Sequence, residues 1–289
     1  MKNKNYLLDI PISMLCILFL STVAGCFSFR ISDKKAKADF KTANADLQLE
    51  DIEVNGFTLH YAKTGNDTLP ILFFVHGTPG SWSAFRSYLK DTALQRKYQL
   101  ISIDRPGFGK SNFGNAMNLS QQSKIISHLF TKLNKGKPIF LIGHSLGGPM
   151  ICRLAIDNPG MISGLVILAG SQDPAAEKPE KWRPVLFKTS LNLLVPGSWR
   201  PSNEELWYLK KDLIELKYDL CKISCPVYLA HGSKDILVPF SNVGYTMKML
   251  TGTSKKEIIV FEDDIEQVEN HFLPSRKFNE IKQLLLTLY

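Results

Sequence analysis

Ser145 lies in the run Leu141-Ile142-Gly143-His144-Ser145-Leu146-Gly147-Gly148-Pro149, a Gly-x-Ser-x-Gly spacing suited to nucleophilic chemistry. The apolar residues that lead into it, Ile139 and Phe140 among them, read as a strand, and the residues after it as the start of a helix. A serine on so sharp a strand-to-helix turn presents its hydroxyl at the end of a sheet. The turn crowds together the residues two before and two after the serine. Glycine at 143 and 147 removes the Cβ atoms that would collide there. Pro149 then falls in the first helical turn, where a missing N–H costs nothing. The competing reading is an ordinary tight turn that carries a serine; the strand before it and the helix after it favour a nucleophile. A serine hydroxyl is unreactive at neutral pH and needs a base within hydrogen-bond reach. Six histidines are available: His60, His76, His128, His144, His231 and His271.

The elements that must position these groups follow from periodicity. Strands are predicted at Ile71–Val75, Leu100–Ile103, Pro138–Ile142, Leu165–Ala169, Pro226–Ala230 and Ile258–Phe261. Helical stretches are predicted near Ser83–Tyr98, Leu119–Asn134 and Leu146–Asn158, and a last helix is marked by Phe278, Ile281, Leu285 and Leu288. Ile126, Leu129, Phe130 and Leu133 show the 3.6-residue period within the second of these. Continuous apolar runs alternating with helices indicate an α/β chain with a mostly parallel sheet covered on both faces. Before it, Ile52 and Val54, the turn Asn55-Gly56, and Phe57, Leu59 and Tyr61 give an antiparallel hairpin. The interval between Ala169 and Pro226 breaks the rhythm; it carries Trp182, Phe187, Leu191, Trp199 and Trp207. So long a structureless loop is unfavourable in a compact domain, so a helical cap insertion is expected over about residues 171–222. Internal repeats and low-complexity tracts are not evident.

Four motifs occur in an order that resembles the α/β-hydrolase fold family. They are His76-Gly77-Thr78-Pro79-Gly80, Asp104 through Ser111, Gly143-His144-Ser145-Leu146-Gly147-Gly148, and Gly232-Ser233-Lys234-Asp235. The resemblance covers roughly residues 50 to 289 and is specific for the fold, much less so for the substrate. The family's order of nucleophile, acid and histidine implies Ser145, Asp235 and His271. Asp235 lies just beyond the strand predicted at Pro226–Ala230; its rivals are Asp173, Asp263 and Asp264, each also in a loop after a strand. His271 follows the last predicted strand, where the family places its base. His60 falls in the hairpin, His128 on a solvent-facing helix surface, and His76 and His231 at strand ends beside glycines, where they orient loops. His144 adjoins the serine, but the turn directs its side chain elsewhere. Two backbone N–H groups must face the charge that develops on the substrate. Leu146, directly after the serine, implies one, and the family's His-Gly loop implies the other at Thr78. The glycines and Pro106 between Asp104 and Ser111 shape a turn, with Arg105 making structural hydrogen bonds. This run lacks the lysine–hydroxyl ending of a phosphate loop.

The N-terminus reads as an address. Lys2 and Lys4 precede an apolar segment from Ile10 to about Leu20, and Val23-Ala24-Gly25-Cys26 closes it. That is the pattern of an export signal over residues 1–25. Its last four residues resemble a bacterial lipobox, which implies a lipidated Cys26 at the start of the mature chain and a membrane-anchored lipoprotein. The phenylalanine at 27 resembles an outer-membrane destination, should the host be Gram-negative. Two other readings compete: an uncleaved anchor helix from Ile10 to Phe29, and simple cleavage with secretion. Residues 26–48 read as a polar tether before the catalytic domain of residues 49–289.

The formal charge is +8, but five basic residues, Arg30, Lys34, Lys35, Lys37 and Lys41, lie in the tether against Asp33 and Asp39. No basic stripe is interleaved with aromatics, so a nucleic-acid partner is not expected. Of the five cysteines, Cys16 leaves with the signal and Cys152 reads as a small buried hydrophobe. Cys221 and Cys225 are close enough to bridge or to remain two free thiols. None has the spacing of a zinc site, and neither metal nor cofactor is expected. A small-molecule ester or amide is the expected partner, and no obligate protein partner is evident.

The His-Gly-Thr-Pro-Gly loop also resembles that of epoxide hydrolases and dehalogenases of the same fold, which place aspartate where this chain has Ser145. Serine points instead to acyl transfer, with carboxylic ester hydrolysis foremost. A proline-type aminopeptidase or a carbon–carbon bond hydrolase shares the implied residues. A membrane-tethered binding module that keeps the fold without catalysis belongs to another class; the complete residue set argues against it.

Overall fold

Asn55 and Gly56 both adopt positive φ, 51° and 78°, the geometry a two-residue hairpin turn requires. They join β1 (Gln48–Val54) to β2 (Phe57–Thr64), which pair antiparallel from Gln48 opposite Lys63 to Val54 opposite Phe57. Six further strands follow: β3 (Ile71–Val75), β4 (Gln99–Ile103), β5 (Ile139–His144), β6 (Ile162–Leu168), β7 (Val227–Gly232) and β8 (Lys256–Phe261). In this computed structural model, which describes residues 29–114, 116–262 and 270–289, they form one sheet ordered β1-β2-β4-β3-β5-β6-β7-β8. The β2–β4 pairing is antiparallel and every later pairing is parallel. The export signal and Cys26 lie outside the described residues.

Period-two alternation splits each central strand between two cores. Ile71, Phe73 and Val75 point into one, Leu72 and Phe74 into the other. Over the first pack α4 (Leu119–Leu133) and α5 (Gly147–Asp157), together with Val243 of α8 (Ser241–Met249). Over the second lie α1 (Asp33–Thr42), α2 (Arg86–Leu89), α3 (Thr92–Lys97) and α10 (Phe278–Leu286), with the short α9 (Leu273–Arg276) before it. Between β6 and β7 the chain makes α6 (Arg183–Phe187), a 3₁₀ turn at Ser190–Leu194 and the long α7 (Trp199–Lys217). Leu209, Leu213 and Leu216 of α7 reach the first core.

Two expectations are corrected. The helix predicted over Ser83–Tyr98 is a 3₁₀ turn at Trp82–Phe85 followed by two short helices. Asp91 breaks it, because its carboxylate caps Leu94 N at 2.9 Å and so starts a new helix. The polar tether is also not wholly free. Residues 33–42 form α1, capped by Ser32 and with Ala36 and Phe40 buried. Phe40 lies 6.1 Å from the Trp82 ring, and Asp39 pairs with Lys90 at 2.9 Å. The lysines made this segment read as solvated; the alanine and phenylalanine spaced one helical turn apart were the signal for docking.

Candidate active site

At the end of β5 the chain turns so tightly that Ser145 takes a φ of 53°. A non-glycine residue there carries strain that the surrounding structure must hold. Gly143 relieves the predicted crowding, since a Cβ there would stand 2.2 Å from the Gly147 carbonyl oxygen, whereas a Cβ on Gly147 would instead meet Val75 O of β3 at 2.3 Å. Ser145 N donates to Leu168 O at 2.9 Å, and Ser145 O accepts from Gly148 N at 2.8 Å. The loop after β3 is pressed against this turn. A Cβ on Gly77 would lie 2.8 Å from Ser145 Cβ, so Gly77 permits the approach. Thr78, next along, joins Pro79 through a cis peptide bond. Neither Thr78 N nor Leu146 N donates to an acceptor among the described residues.

Asp235 sits three residues beyond β7. Its Oδ1 accepts from Leu237 N and Val238 N, each at 2.9 Å, and its Oδ2 accepts from His271 Nδ1 at 2.8 Å. Burial pushes this carboxyl up, but the His271 bond and charge and the Val238 N–H outweigh it and hold it below its ordinary range. His231 lies 3.6 Å from the same oxygen, with Nε2 donating to Val238 O at 2.9 Å; burial lowers its pKa and keeps it neutral. With Nδ1–H given to Asp235, His271 keeps Nε2 as an acceptor. Its ring is 4.9 Å from that of His144, whose Nε2 donates to His271 O at 2.8 Å. Burial, and then the neighbouring His271, push the His144 pKa down to about 3, so this imidazole is a neutral donor. The structure therefore brings Asp235 and His271 into contact, with the imidazole beside the Ser145 turn. No hydrogen bond to the Ser145 hydroxyl is formed among the described residues.

The other candidates separate cleanly. Asp173 closes a local turn by accepting from Ala175 N at 2.8 Å, and Asp263 and Asp264 lie outside the described residues. His60 is bonded to Asp51 at 2.6 Å in the hairpin, and His128 is exposed on α4. His76 is buried, accepts from Arg105 N at 3.0 Å through Nε2 and bonds Gly77 O through Nδ1 at 2.6 Å. Cys152 is buried, with its thiol pushed up to about 12 by burial, and Cys221 and Cys225 are free thiols.

Arg105 makes the structural hydrogen bonds expected of it, but its partners Glu205 and Gln122, and a second arrangement, escaped the sequence. Arg105, fully buried, donates to His76 O at 2.9 Å and Gly77 O at 3.0 Å, and pairs with Glu205 of α7, Nη2 to Oε2 at 3.0 Å. Gln122 of α4 joins both, accepting from Arg105 at 3.1 Å and donating to Glu205 at 2.9 Å. A charged residue on the apolar stripe Glu205-Leu209-Leu213-Leu216 was the available signal. The second is Asn242 of α8, whose Oδ1 accepts from Gln172 N and Asp173 N at 2.8 Å each, fixing the chain as it leaves β6.

The sequence model of the α/β-hydrolase fold matches residues 70–193. Over 102 residues the chain is 31% identical to the sn-1-specific diacylglycerol lipase ABHD11 of Danio rerio, covering 35% of this chain and 32% of that one. Over 118 residues it is 29% identical to epoxide hydrolase 1 of Caenorhabditis elegans, covering 40% and 28%. The matched stretch thus spans about a third of the length of these curated relatives. A bacterial membrane phospholipase A superposes with a TM-score of 0.59 over 96% of this chain and 97% of its own, at 17% identity, a likeness of fold. With the sequence match running from the start of β3 into α7's approach and the structural likeness extending end to end, the chain has the α/β-hydrolase fold.

Proposed function

We propose that the chain is a serine hydrolase of carboxylic esters, acting through an acyl-enzyme on an apolar acyl or aromatic substrate. The observation that carries this is the 2.8 Å bond from His271 to Asp235, made beside a serine at positive φ. Ser145 Oγ attacks the ester carbonyl while His271 Nε2 takes its proton. Asp235 fixes the tautomer and supports the imidazolium. The N–H groups of Thr78 and Leu146 receive the carbonyl oxygen as it becomes an oxyanion. Collapse breaks the C–O bond to the alcohol, which leaves with the proton from His271. Water then attacks the acyl-enzyme by the same route and regenerates Ser145. The Ser145–His271 bond belongs to the substrate complex, since such bonds tighten only there in many enzymes. That a diacylglycerol lipase is among the relatives supports an ester substrate.

The test is labelling by a fluorophosphonate, which phosphonylates activated serines. Wild type is expected to label and Ser145→Ala to remain unlabelled; a folded wild type that never labels defeats the reading. The lipobox-like Val23-Ala24-Gly25-Cys26 supports a membrane-anchored form of this hydrolase, exported to the periplasm or the cell exterior. Among the described residues no helix is long and apolar enough to cross a membrane. Cys26→Ser is expected to abolish acylation and leave unprocessed precursor; unchanged processing rules out this route.

A further inference from the structure

Residues 173–196 contain no buried side chain, although they carry Trp182, Val185, Leu191, Leu193 and Leu194. Leu193 is 75% exposed and Leu194 65%, and neither α6 nor the 3₁₀ turn buries a single residue. A cap whose apolar side chains served only to pack it onto the sheet would bury them, as α7 does with Leu209, Leu213 and Leu216. Further exposed apolar residues adjoin the candidate site: Ile236 and Leu237 follow Asp235, and Phe272 follows His271.

Where the chain leaves the described structure decides what covers this surface. Phe29 sets its ring edge-on to Trp199 at 6.5 Å, and its carbonyl accepts from Ser81 Oγ at 2.6 Å, beside the Gly77–Gly80 loop. Twenty-eight residues precede it, and Cys26 is three positions away. Three residues reach about 11 Å at full extension. An acyl anchor on Cys26 would therefore enter the bilayer within that distance of the cap. Lys178, Lys181 and Lys188 are exposed on the same segment, while Glu180 is paired with Arg183. Tryptophan, leucine and lysine together suit the interface of a membrane with anionic headgroups.

We propose that the cap segment centred on Trp182, Leu193, Leu194 and Trp199 docks on the bilayer surface, so that a lipid ester enters the site directly from the membrane. Interfacial insertion of these side chains turns the mouth of the site towards the acyl layer, and the anchor keeps it there. The inference deepens the reading of an anchored ester hydrolase, and docking is measured separately from catalysis.

The full-length chain is presented with vesicles of phosphatidylethanolamine and phosphatidylglycerol that carry brominated acyl chains, and tryptophan fluorescence is followed. Wild type is expected to be quenched, and Ser145→Ala equally so, since docking needs no chemistry. The double variant Trp182→Phe, Trp199→Phe is expected to lose most of the quenching, leaving Trp82 and Trp207 unaffected. Leu193→Glu with Leu194→Glu is expected to weaken quenching and to lower hydrolysis of a vesicle-borne ester by about tenfold or more. The same pair should change hydrolysis of a soluble short-chain ester by less than about twofold, because both side chains are exposed. Absence of quenching in wild type, or quenching that survives loss of both tryptophans, overturns the proposal. So does a chain whose Leu193 and Leu194 prove instead to hold two copies together.

Discussion

At the residue scale, Asp235 holds one imidazole, that of His271. Its carboxylate is fully occupied, two backbone N–H groups on Oδ1 and His271 on Oδ2. Asp235→Asn preserves the shape but offers an N–H where an acceptor stood, which favours the wrong tautomer of His271. Turnover of a p-nitrophenyl ester should fall by about 10³–10⁴-fold with KM little changed, as removal of the acid does in such triads. A loss of less than about tenfold would assign the acid to another carboxylate. His144 was legible as a neighbour of Ser145 but not as the donor that holds the His271 carbonyl. That contact joins residues 127 positions apart, and no local pattern announces it.

At the element scale the buried Arg105–Glu205 pair ties the cap helix α7 to the loop after β3. Glu205→Leu leaves the Arg105 guanidinium buried without its counter-charge. A loss of about 3–5 kcal/mol in urea unfolding is expected, and adding Arg105→Met should recover part of it. If the double variant is as unstable as the sum of the singles, the pair is not coupled. Asp212, about two turns further along α7, accepts from Leu119 N at 2.9 Å at the start of α4. Burial raises its pKa to about 6, against an ordinary value of 3.8. Within that window the folded chain binds more protons than the unfolded one, so stability falls as pH rises and the penalty persists above it. Asp212→Asn keeps an acceptor without the charge and is expected to stabilise the chain by on the order of 1–3 kcal/mol at pH 7.5. That gain should vanish as the pH is lowered to about 4. Thermal unfolding at both values checks the sign. The strands and α4 were readable because their periods are strict; α2 and α3 were not, since the Asp91 cap outweighs helical propensity across residues 83–98.

At the scale of the whole molecule, the sheet, its hairpin and the cap's position were all readable from alternating apolar runs and four turn motifs. The docking of α1 was not, because its charge masks two buried residues. Phe40→Ala tests whether α1 belongs to the domain: removal of this 1% exposed ring should cost about 3–5 kcal/mol. A passive tether would register less than about 0.5 kcal/mol in urea unfolding. Just before α1, Phe29 sets its ring edge-on against Trp199 at the start of α7, 6.5 Å between centroids.

The central claim is that Ser145 carries the acyl group during turnover. Acid-quenching the chain while it hydrolyses a p-nitrophenyl ester, then weighing its peptides, reads this directly. The acyl mass is expected on the peptide that contains Ser145, and none in Ser145→Ala. Turnover with that peptide unmodified, or with the acyl group on a different residue, would contradict it.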